Sequence, residues 1–199
     1  MVGEQLPVTL AELDVAAACL LLAQGRAVAF PTDCGYGFAL DPFHPEAEVA
    51  MAQLKPGRDA PVGLIAADRS QVDPLVHRWT PIAERCAALW PAELTLVFVA
   101  APGLPAMVVS TVGGVAVRVP ARSQTRALAA HYGGPLTATS LNRSGQPPAR
   151  RPDELEAFGG LIAGYLAGET GDEPPSTLVD VSEEAATILR HGSVSLPWR

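Results

Sequence analysis

The stretch Ala27–Leu40, AVAFPTDCGYGFAL, decides the fold class of this chain. The apolar run Ala27–Phe30 has the composition of a strand. We expect Pro31 to end that strand, because proline has no N–H to donate to a sheet ladder. The polar, glycine-rich residues 32–37 follow at once, and in open α/β sheets such a turn at the carboxyl end of a strand is typical of a ligand site. A loop that only connects two elements and binds no ligand explains the same residues equally well.

Length and composition indicate a globular protein with one domain, or one domain with a small appendage. The chain has 199 residues, of which 48% are hydrophobic and 18% are charged. No apolar run reaches the length of a membrane span, and the acidic start does not resemble a signal peptide, so we expect no membrane association. The three scattered cysteines disfavour a disulfide framework or a zinc site and fit a reducing cytoplasm. The four histidines lack metal-ligand spacing, so no metal site is predicted.

Strands and helices alternate through the first two-thirds of the chain. This order predicts an α/β fold with a mixed sheet and helices on its faces. The first helix is expected to begin at a capping box, Thr9-x-x-Glu12, and to run to Gln24. Gly168–Pro175 is polar and rich in glycine and proline, which predicts a mobile loop. Further helices are predicted at 45–55, 80–89, 122–132, 153–158 and 161–167, and further strands at 62–67, 94–100, 115–119, 136–139, 177–181 and 187–189.

The distribution of basic residues is more informative than the net charge of −7, which by itself argues weakly against nucleic-acid binding. Thirteen of the fourteen Lys and Arg residues are arginine, and Lys55 is the only lysine. In Lys55-Pro-Gly-Arg58, two cations share a glycine-containing turn after a predicted helix, which suits the oxygens of a polyphosphate. Two cations facing the negative end of that helix explain the same turn. The chain contains neither a P-loop nor a G-x-G-x-x-G fingerprint.

Three later strand ends also carry polar or cationic groups. Arg118 interrupts the strand VAVRVP on the side opposite its valines, where it faces either a cleft or solvent. Residues 137–145 crowd hydroxyl and amide side chains at another strand end, where they either bind a ligand or form turns. Hydroxyls open the strand at 175–180, and an arginine ends the strand at 188–190. Taken with the Lys55 turn, these groups predict one anion-binding cleft.

Seven segments, taken in order, resemble the YrdC-like family, which includes threonylcarbamoyl-AMP synthases. They extend from Ala27 to Gly192. The resemblance implies a twisted mixed α/β sheet around a concave, basic cavity, in the single-domain form of the family over residues 1–199. The segments are PTDCGYGFALD, LKPGR, WPAELTLV, VAVRVP, PLTATSLNRSG, STLVDV and ILRHG.

The resemblance also implies a reaction. L-Threonine and bicarbonate give a carbamate, which attacks the α-phosphate of ATP to yield threonylcarbamoyl-AMP and pyrophosphate, with Mg²⁺ expected beside ATP. The acyl group then passes to a tRNA adenosine through partner proteins in the cytoplasm. By resemblance, Lys55 and Arg58 are catalytic and hold phosphates, Thr32, Arg118 and Ser176 bind threonine, and Thr95, Thr139, Ser140, Asn142 and Arg190 complete the nucleotide site.

Two other functions fit parts of the sequence. One is a non-catalytic module that binds tRNA or double-stranded RNA, for which Arg143, Arg150 and Arg151 supply local positive charge. The other is an enzyme that forms a different carbamoyl adenylate.

Several residues depart from the family pattern. Lys55 and Arg58 are three positions apart where the family has K-x-R-P, and Pro61 follows soon after. PTDC replaces PTDT, PAE replaces PGP, Leu141 replaces a small alanine, and His191 replaces a proline. These departures bear on the identity of the amino acid more than on ATP or the fold.

Overall fold

A computed structural model describes residues 10–143 and 145–197, and they form a sheet with helices packed on it. The α/β fold predicted from the alternating elements is confirmed. The helices are α1 (Val15–Leu22), α2 (Ala47–Leu54), α3 (Arg69–Val72), α4 (Pro81–Ala87) and α5 (Ser123–Tyr132), with 3₁₀ turns at Asp73–Leu75, Ala106–Val108 and Pro152–Phe158. The strands are β1 (Glu12–Leu13), β2 (Val28–Thr32), β3 (Gly35–Ala39), β4 (Gly63–Ile65), β5 (Leu94–Val99), β6 (Gly114–Arg118), β7 (Leu136–Ser140), β8 (Tyr165–Leu166), β9 (Thr177–Asp180) and β10 (Thr187–Arg190).

The strands form one mixed sheet in the order β1-β8-β2-β3-β7-β4-β6-β5-β9-β10. The pairs β1–β8, β8–β2, β4–β6 and β5–β9 are parallel, and the other neighbours are antiparallel. Since side chains alternate along a strand, this register decides which residues share a face of the sheet.

One face of the central strands is a dry core. Alternate residues of β4, β5, β6 and β9 are buried there and pack against α4. Val115 and Val117 lie on this face, so Arg118 lies on the other, as the alternation predicted. The main members of this core are Leu64, Ile82, Cys86, Leu94, Leu96, Phe98, Val115, Val117 and Val179.

The opposite face is covered at one end and half-exposed in the middle. At the β2 end, α1 and α5 pack onto it through Leu22 and Leu128, both fully buried. In the middle, the residues in register are small, namely Gly63, Ala116 and Ala138, and each is only half-buried. We call this half-exposed part the open face, because small side chains leave room above the sheet for a ligand.

The predicted end of the first strand at Pro31 is wrong. Strand β2 continues through Pro31, which pairs with Tyr36, to Thr32. On the other side of β2 the register with β8 contains only Ala29, so Pro31 lies beyond that ladder and no N–H is missed there. The polar turn therefore joins two antiparallel strands in a hairpin and does not lead into a helix. Gly35, with φ of +116°, begins the return strand.

Two helix predictions near the ends also need correction. Helix α1 begins at Val15, and its N-cap is Asp14, whose Oδ1 accepts the N–H of Ala17 at 2.7 Å. The predicted start is replaced by the short strand β1, and Thr9 of the expected capping box lies outside the described residues. The segment 161–167, predicted as a helix, is not helical, and part of it is β8, whose backbone pairs with β1 and β2.

The other elements lie close to their predicted positions. Thr80 caps α4 as its TP sequence indicates, with Oγ1 accepting the N–H of Ala83. Helix α2 begins at Ala47, so Pro45 precedes it and is not its first residue. Its carboxyl end falls at Lys55, and this places the only lysine beside the loop that follows β7.

Candidate active site

Lys55 is anchored to the loop that follows β7. Lys55 is half-buried. Its Nζ donates to the backbone carbonyl oxygen of Asn142 at 3.0 Å and to Oδ1 of the Asn142 side chain. Partial burial and the neighbouring charge of Arg58 lower the pKa of Lys55 to about 8. The ammonium is therefore held by neutral oxygens in a position where an anion would stabilise its charge.

Arg58 is held in the same manner. Its guanidinium donates to the carbonyl oxygens of Ala60 at 2.9 Å and Pro61 at 3.0 Å, and it reaches Thr139 Oγ1 at 3.5 Å. Gly57, with φ of +71°, makes the tight turn that brings the arginine back toward the lysine. Within residues 10–143 and 145–197, neither Lys55 nor Arg58 forms an ion pair with a carboxylate.

A cavity of about 690 Å³ lies beside these two cations. It is bounded by the end of α2, the Lys55 turn and the end of β7, and this size suits a small-molecule ligand. The sequence predicted one cleft for all the candidate site residues, and only some of them line this cavity. The lining members are Lys55, Arg58, Thr139, Ser140 and Asn142, whereas Thr32, Thr95, Arg118, Ser176 and Arg190 are not among its lining residues.

Arg118 lies on the open face but outside that cavity. Its guanidinium forms an ion pair with Glu93, which immediately precedes β5, and both side chains are 14% exposed. Burial and the nearby Asp33 raise the pKa of Glu93 to about 7, although Arg118 opposes that rise. Arg118 is thus paired with an internal carboxylate.

A second arginine–carboxylate pair adjoins the first. Asp33, in the β2–β3 turn, accepts from Arg122 Nε at 3.2 Å. Hydrogen bonding from Glu93 and the charge of Arg122 outweigh burial, so the pKa of Asp33 is lowered. We call Asp33, Glu93, Arg118 and Arg122 the arginine–carboxylate cluster. Sequence reasoning assigned no role to three of these residues, because Arg118 alone was selected.

The remaining predicted groups meet beside this cluster. Thr95 Oγ1 and Ser176 Oγ are 2.8 Å apart, and Thr95 pairs with Arg118 across β5 and β6. Arg190 donates to the carbonyl oxygen of Ser176 at 2.9 and 3.1 Å and to its hydroxyl at 3.3 Å. The pairing of β5 with β9 and of β9 with β10 thus brings Thr95, Ser176 and Arg190 together.

Thr32 lies between the two groups. It is 9% exposed, and its hydroxyl donates to the carbonyl oxygen of Gly35 at 2.6 Å, so that it fixes the hairpin turn. Gly37 separates Thr32 from β7: a Cβ there would lie 3.3 Å from the Thr32 methyl and 3.2 Å from the Thr139 carbonyl oxygen. Thr32 therefore connects the cavity wall with the cluster that begins at Asp33.

The loop predicted to be mobile is fastened to this turn. Gly171 N donates to the Thr32 carbonyl oxygen at 2.9 Å, and Glu173 N donates to that of Asp33 at 2.8 Å. Asp172 pairs with Arg150 on the outside. A Cβ at Gly171 would collide with the backbone oxygen of Asp33, so only glycine permits this close approach. The loop thus covers the turn that carries Thr32.

Comparison with known proteins gives a family match over most of the chain. The Sua5/YciO/YrdC family model, described as telomere recombination, matches residues 20–192. A putative threonylcarbamoyl-AMP synthase of Mycobacterium leprae is 37% identical over 186 residues, covering 92% of this chain and 84% of that protein. A threonylcarbamoyl-AMP synthase of Alkalilimnicola ehrlichii is 38% identical over 173 residues, covering 84% of this chain and 90% of that protein.

A solved structure gives the same fold. The crystal structure of P. abyssi Sua5 complexed with L-threonine superposes with a TM-score of 0.80 at 27% sequence identity. The match covers 92% of this chain and 56% of that one, so this chain spans little more than half the length of the P. abyssi protein.

Proposed function

This chain belongs to the Sua5/YciO/YrdC family, and from that membership we propose that it is an enzyme that makes threonylcarbamoyl-AMP from L-threonine, bicarbonate and ATP. The observation that supports this activity most directly is the pair of cations Lys55 and Arg58, held by neutral oxygens beside the 690 Å³ cavity. Cations without a carboxylate partner bind phosphate oxygens without first giving up an internal ion pair.

We assign the polyphosphate of ATP to the Lys55 turn. Lys55 supplies a compact charge and Arg58 a planar fork of donors, so the two can contact different oxygens of the same chain of phosphates. The hydroxyls of Thr139 and Ser140 and the amide of Asn142 lie along the same wall, where they can hydrogen-bond the nucleotide without adding charge.

We assign the amino acid to the open face near Thr32, Arg118 and Ser176. Arg118 has the geometry to hold a carboxylate, and Thr95 and Ser176 offer hydroxyls within one strand of it. Arg190 fixes Ser176 through its backbone oxygen and completes this side of the site. Thr32 reaches the same face from the β2 end, beneath the Gly168–Pro175 loop.

The reaction that these groups serve is adenylate formation. The threonine nitrogen and bicarbonate form a carbamate with loss of water and a proton. A carbamate oxygen then attacks the α-phosphorus of ATP, and the bond from that phosphorus to the β-bridging oxygen breaks to release pyrophosphate. Phosphoryl chemistry of this kind depends on positioning and on stabilising charge. Lys55 and Arg58 supply that stabilisation in our proposal, as the catalytic residues.

The fit of Mg²⁺ depends on ATP more than on this chain. The described residues contain no group of three His, Cys, Asp or Glu side chains that could hold a metal ion. Mg²⁺ is commonly bound through substrate phosphates and water with few protein ligands. We therefore propose that Mg²⁺ would enter bound to ATP and would neutralise part of the charge of its phosphates. Lys55 and Arg58 would hold the same phosphates from the protein side.

The product's acyl group is expected to reach tRNA through partner proteins, and this step stays a proposal, as does the cytoplasmic location. Among the described residues, no helix is long and apolar enough to cross a membrane. The alternative of an RNA-binding module loses support, because Arg150 pairs with Asp172 and Arg151 with Asp153 and Glu154. These arginines do not form an uncompensated basic surface.

The test is an assay of pyrophosphate release with ATP, Mg²⁺, bicarbonate and each amino acid in turn. We expect release to require both bicarbonate and L-threonine, and we expect mass spectrometry to identify threonylcarbamoyl-AMP. Equal release with other amino acids would favour a different carbamoyl adenylate. No release with any amino acid, together with salt-sensitive binding of RNA, would favour the RNA module.

A further inference from the structure

Arg118 is placed to bind a ligand anion, but a carboxylate of the same chain already occupies it. Glu93 and Arg118 form an ion pair on the open face, and each side chain is only 14% exposed. A carboxylate or phosphate of a substrate would need the same guanidinium donors that Glu93 uses. Binding at Arg118 is therefore an exchange of one anion for another.

The surroundings of Glu93 show where its carboxyl group can go. Asp33 lies beside Glu93 and helps to raise its pKa, so a Glu93 carboxylate that loses Arg118 is stable next to Asp33 only if the two then share a proton. Glu93 Oε1 is buried and has no hydrogen-bond partner within the described part of the chain. Such an orphaned oxygen is satisfied once Glu93 carries a proton and donates it to Asp33.

The charged groups around Glu93 come from three elements. Arg118 faces it from β6, Asp33 faces it from the β2–β3 turn, and Arg122, at the start of α5, holds Asp33 in place. Only Arg118 is an ion-pair partner of Glu93 among the described residues, so its loss to a ligand leaves protonation as the way to stabilise Glu93.

We propose that Glu93 is an internal competitor for Arg118, and that binding of a substrate carboxylate or phosphate there moves Glu93 from its ion pair to a hydrogen bond with Asp33, with uptake of one proton from solvent. This rests on the proposed function, which supplies L-threonine and ATP as the two possible anions. The exchange is balanced: the ligand anion replaces the Glu93 carboxylate on Arg118, and the proton neutralises the displaced carboxylate.

The exchange makes ligand affinity depend on pH in a definite direction. In the free protein the pKa of Glu93 is about 7, and loss of Arg118 to a ligand raises it further, because the charge of Arg118 is what lowers it. Below pH 7 Glu93 is neutral before and after binding, so affinity is flat. Above pH 7 each binding event must add a proton, so affinity falls by up to about tenfold per pH unit.

Isothermal titration calorimetry tests this with L-threonine and ATP titrated separately. Titrations at pH 6.5 and 8 in buffers of different ionisation enthalpy report the protons taken up. The matched variants are Glu93→Gln, which keeps the shape but cannot titrate, and Glu84→Gln, which alters an exposed Arg–Glu pair outside the site. For one ligand, we expect up to one proton taken up at pH 8 by the unmodified protein and by Glu84→Gln.

With Glu93→Gln we expect that uptake to vanish for the same ligand and the affinity at pH 8 to rise by about tenfold. The ligand that shows this difference identifies the anion on Arg118, threonine carboxylate or ATP phosphate. Equal proton uptake and equal pH dependence in Glu93→Gln and the unmodified protein would overturn the inference. Circular dichroism of each variant excludes misfolding, and Glu93→Ala repeats the test if the glutamine variant does not fold.

Pyrophosphate release by the unmodified protein separates this inference from the function on which it rests. Release that depends on L-threonine, without any proton uptake linked to Glu93, overturns the inference alone. Failure of the unmodified protein to bind or turn over either ligand overturns both.

Discussion

The Lys55 turn and the arginine–carboxylate cluster both supply cations to the candidate active site, but their charges are balanced in opposite ways. In the turn, Lys55 and Arg58 rest on carbonyl, amide and hydroxyl oxygens, so their charges stay uncompensated. In the cluster, Arg118 and Arg122 each rest on a carboxylate. An uncompensated cation binds an anion directly, whereas a compensated one contributes to the fold and must exchange partners first.

The largest expected effect comes from removing the lysine of the turn. Lys55→Ala should lower kcat/KM for ATP by about 10²- to 10³-fold, because a preorganised charged donor to the phosphates is lost. Thermal stability should change little, since Lys55 has no charged partner of opposite sign within the described residues. Steady-state kinetics and calorimetry of ATP binding measure this. Arg26→Ala, a cation exposed at the surface, is the control, and an unchanged ATP affinity in Lys55→Ala would contradict the assignment.

Removing an arginine from the cluster should act on stability as well as on the ligand. Arg118→Ala leaves the mostly buried Glu93 without its partner, and breaking such a pair costs about 3 kcal/mol of unfolding free energy. Urea denaturation at pH 8, where Glu93 is ionised in the intact pair and must take up a proton or stay charged once Arg118 is lost, measures the loss. The double variant Arg118→Ala/Glu93→Gln should recover part of it. If Arg118→Ala is as stable as Lys55→Ala, the contrast between the two regions fails.

The sequence predicted the Lys55 turn better than the cluster, and the difference is one of range. The helix end, Lys55 and Arg58 follow one another in the chain. Their short separation in sequence is enough to bring the two cations together. Alternation along β6 likewise predicted the face of Arg118. Glu93 is 25 positions from Arg118, and Asp33 is 89 from Arg122. No local pattern relates residues so far apart, and only the strand order brings them together.

The fold errors have a similar origin. Pro31 ends a strand in a local view, but its place is decided by β8, whose register with β2 stops at Ala29. The helix predicted at 161–167 has ordinary helical composition, and pairing with β1 and β2 makes part of it a strand. Tertiary pairing overrides local preference at both places.

A smaller effect concerns pH and the turn. The pKa of Lys55 is about 8 in the free protein, and a bound phosphate raises it, since an anion stabilises the charged form. Lys55 is charged before and after binding below pH 8, so ATP affinity is flat there with respect to this group. Above pH 8 binding must add a proton, and affinity should fall by up to about tenfold per unit. Calorimetry from pH 7 to 9.5 on the Glu93→Gln variant separates the pH dependence of ATP affinity caused by Lys55 from that caused by Glu93. A Lys55→Arg variant should lose this fall of ATP affinity above pH 8. If the fall persists in that variant, another group causes it.

The smallest expected effect tests whether burial, and not pairing alone, makes the ion pairs of the arginine–carboxylate cluster contribute to the unfolding free energy. Arg69 and Glu84 form another Arg–Glu pair, but their side chains are 47% and 46% exposed. Water already solvates these charges, so Glu84→Gln should cost at most about 0.5 kcal/mol of unfolding free energy. Arg69 also keeps its second carboxylate, Asp73, at 3.1 Å and its position over the Trp79 ring. Urea denaturation in low and high salt measures the difference. A loss as large as that of Arg118→Ala would mean that an Arg–Glu pair stabilises the fold to the same extent whether it is exposed or buried. The burial of the Glu93–Arg118 pair would then not distinguish it from a surface pair, and the argument that Glu93 exchanges its partner would lose this support.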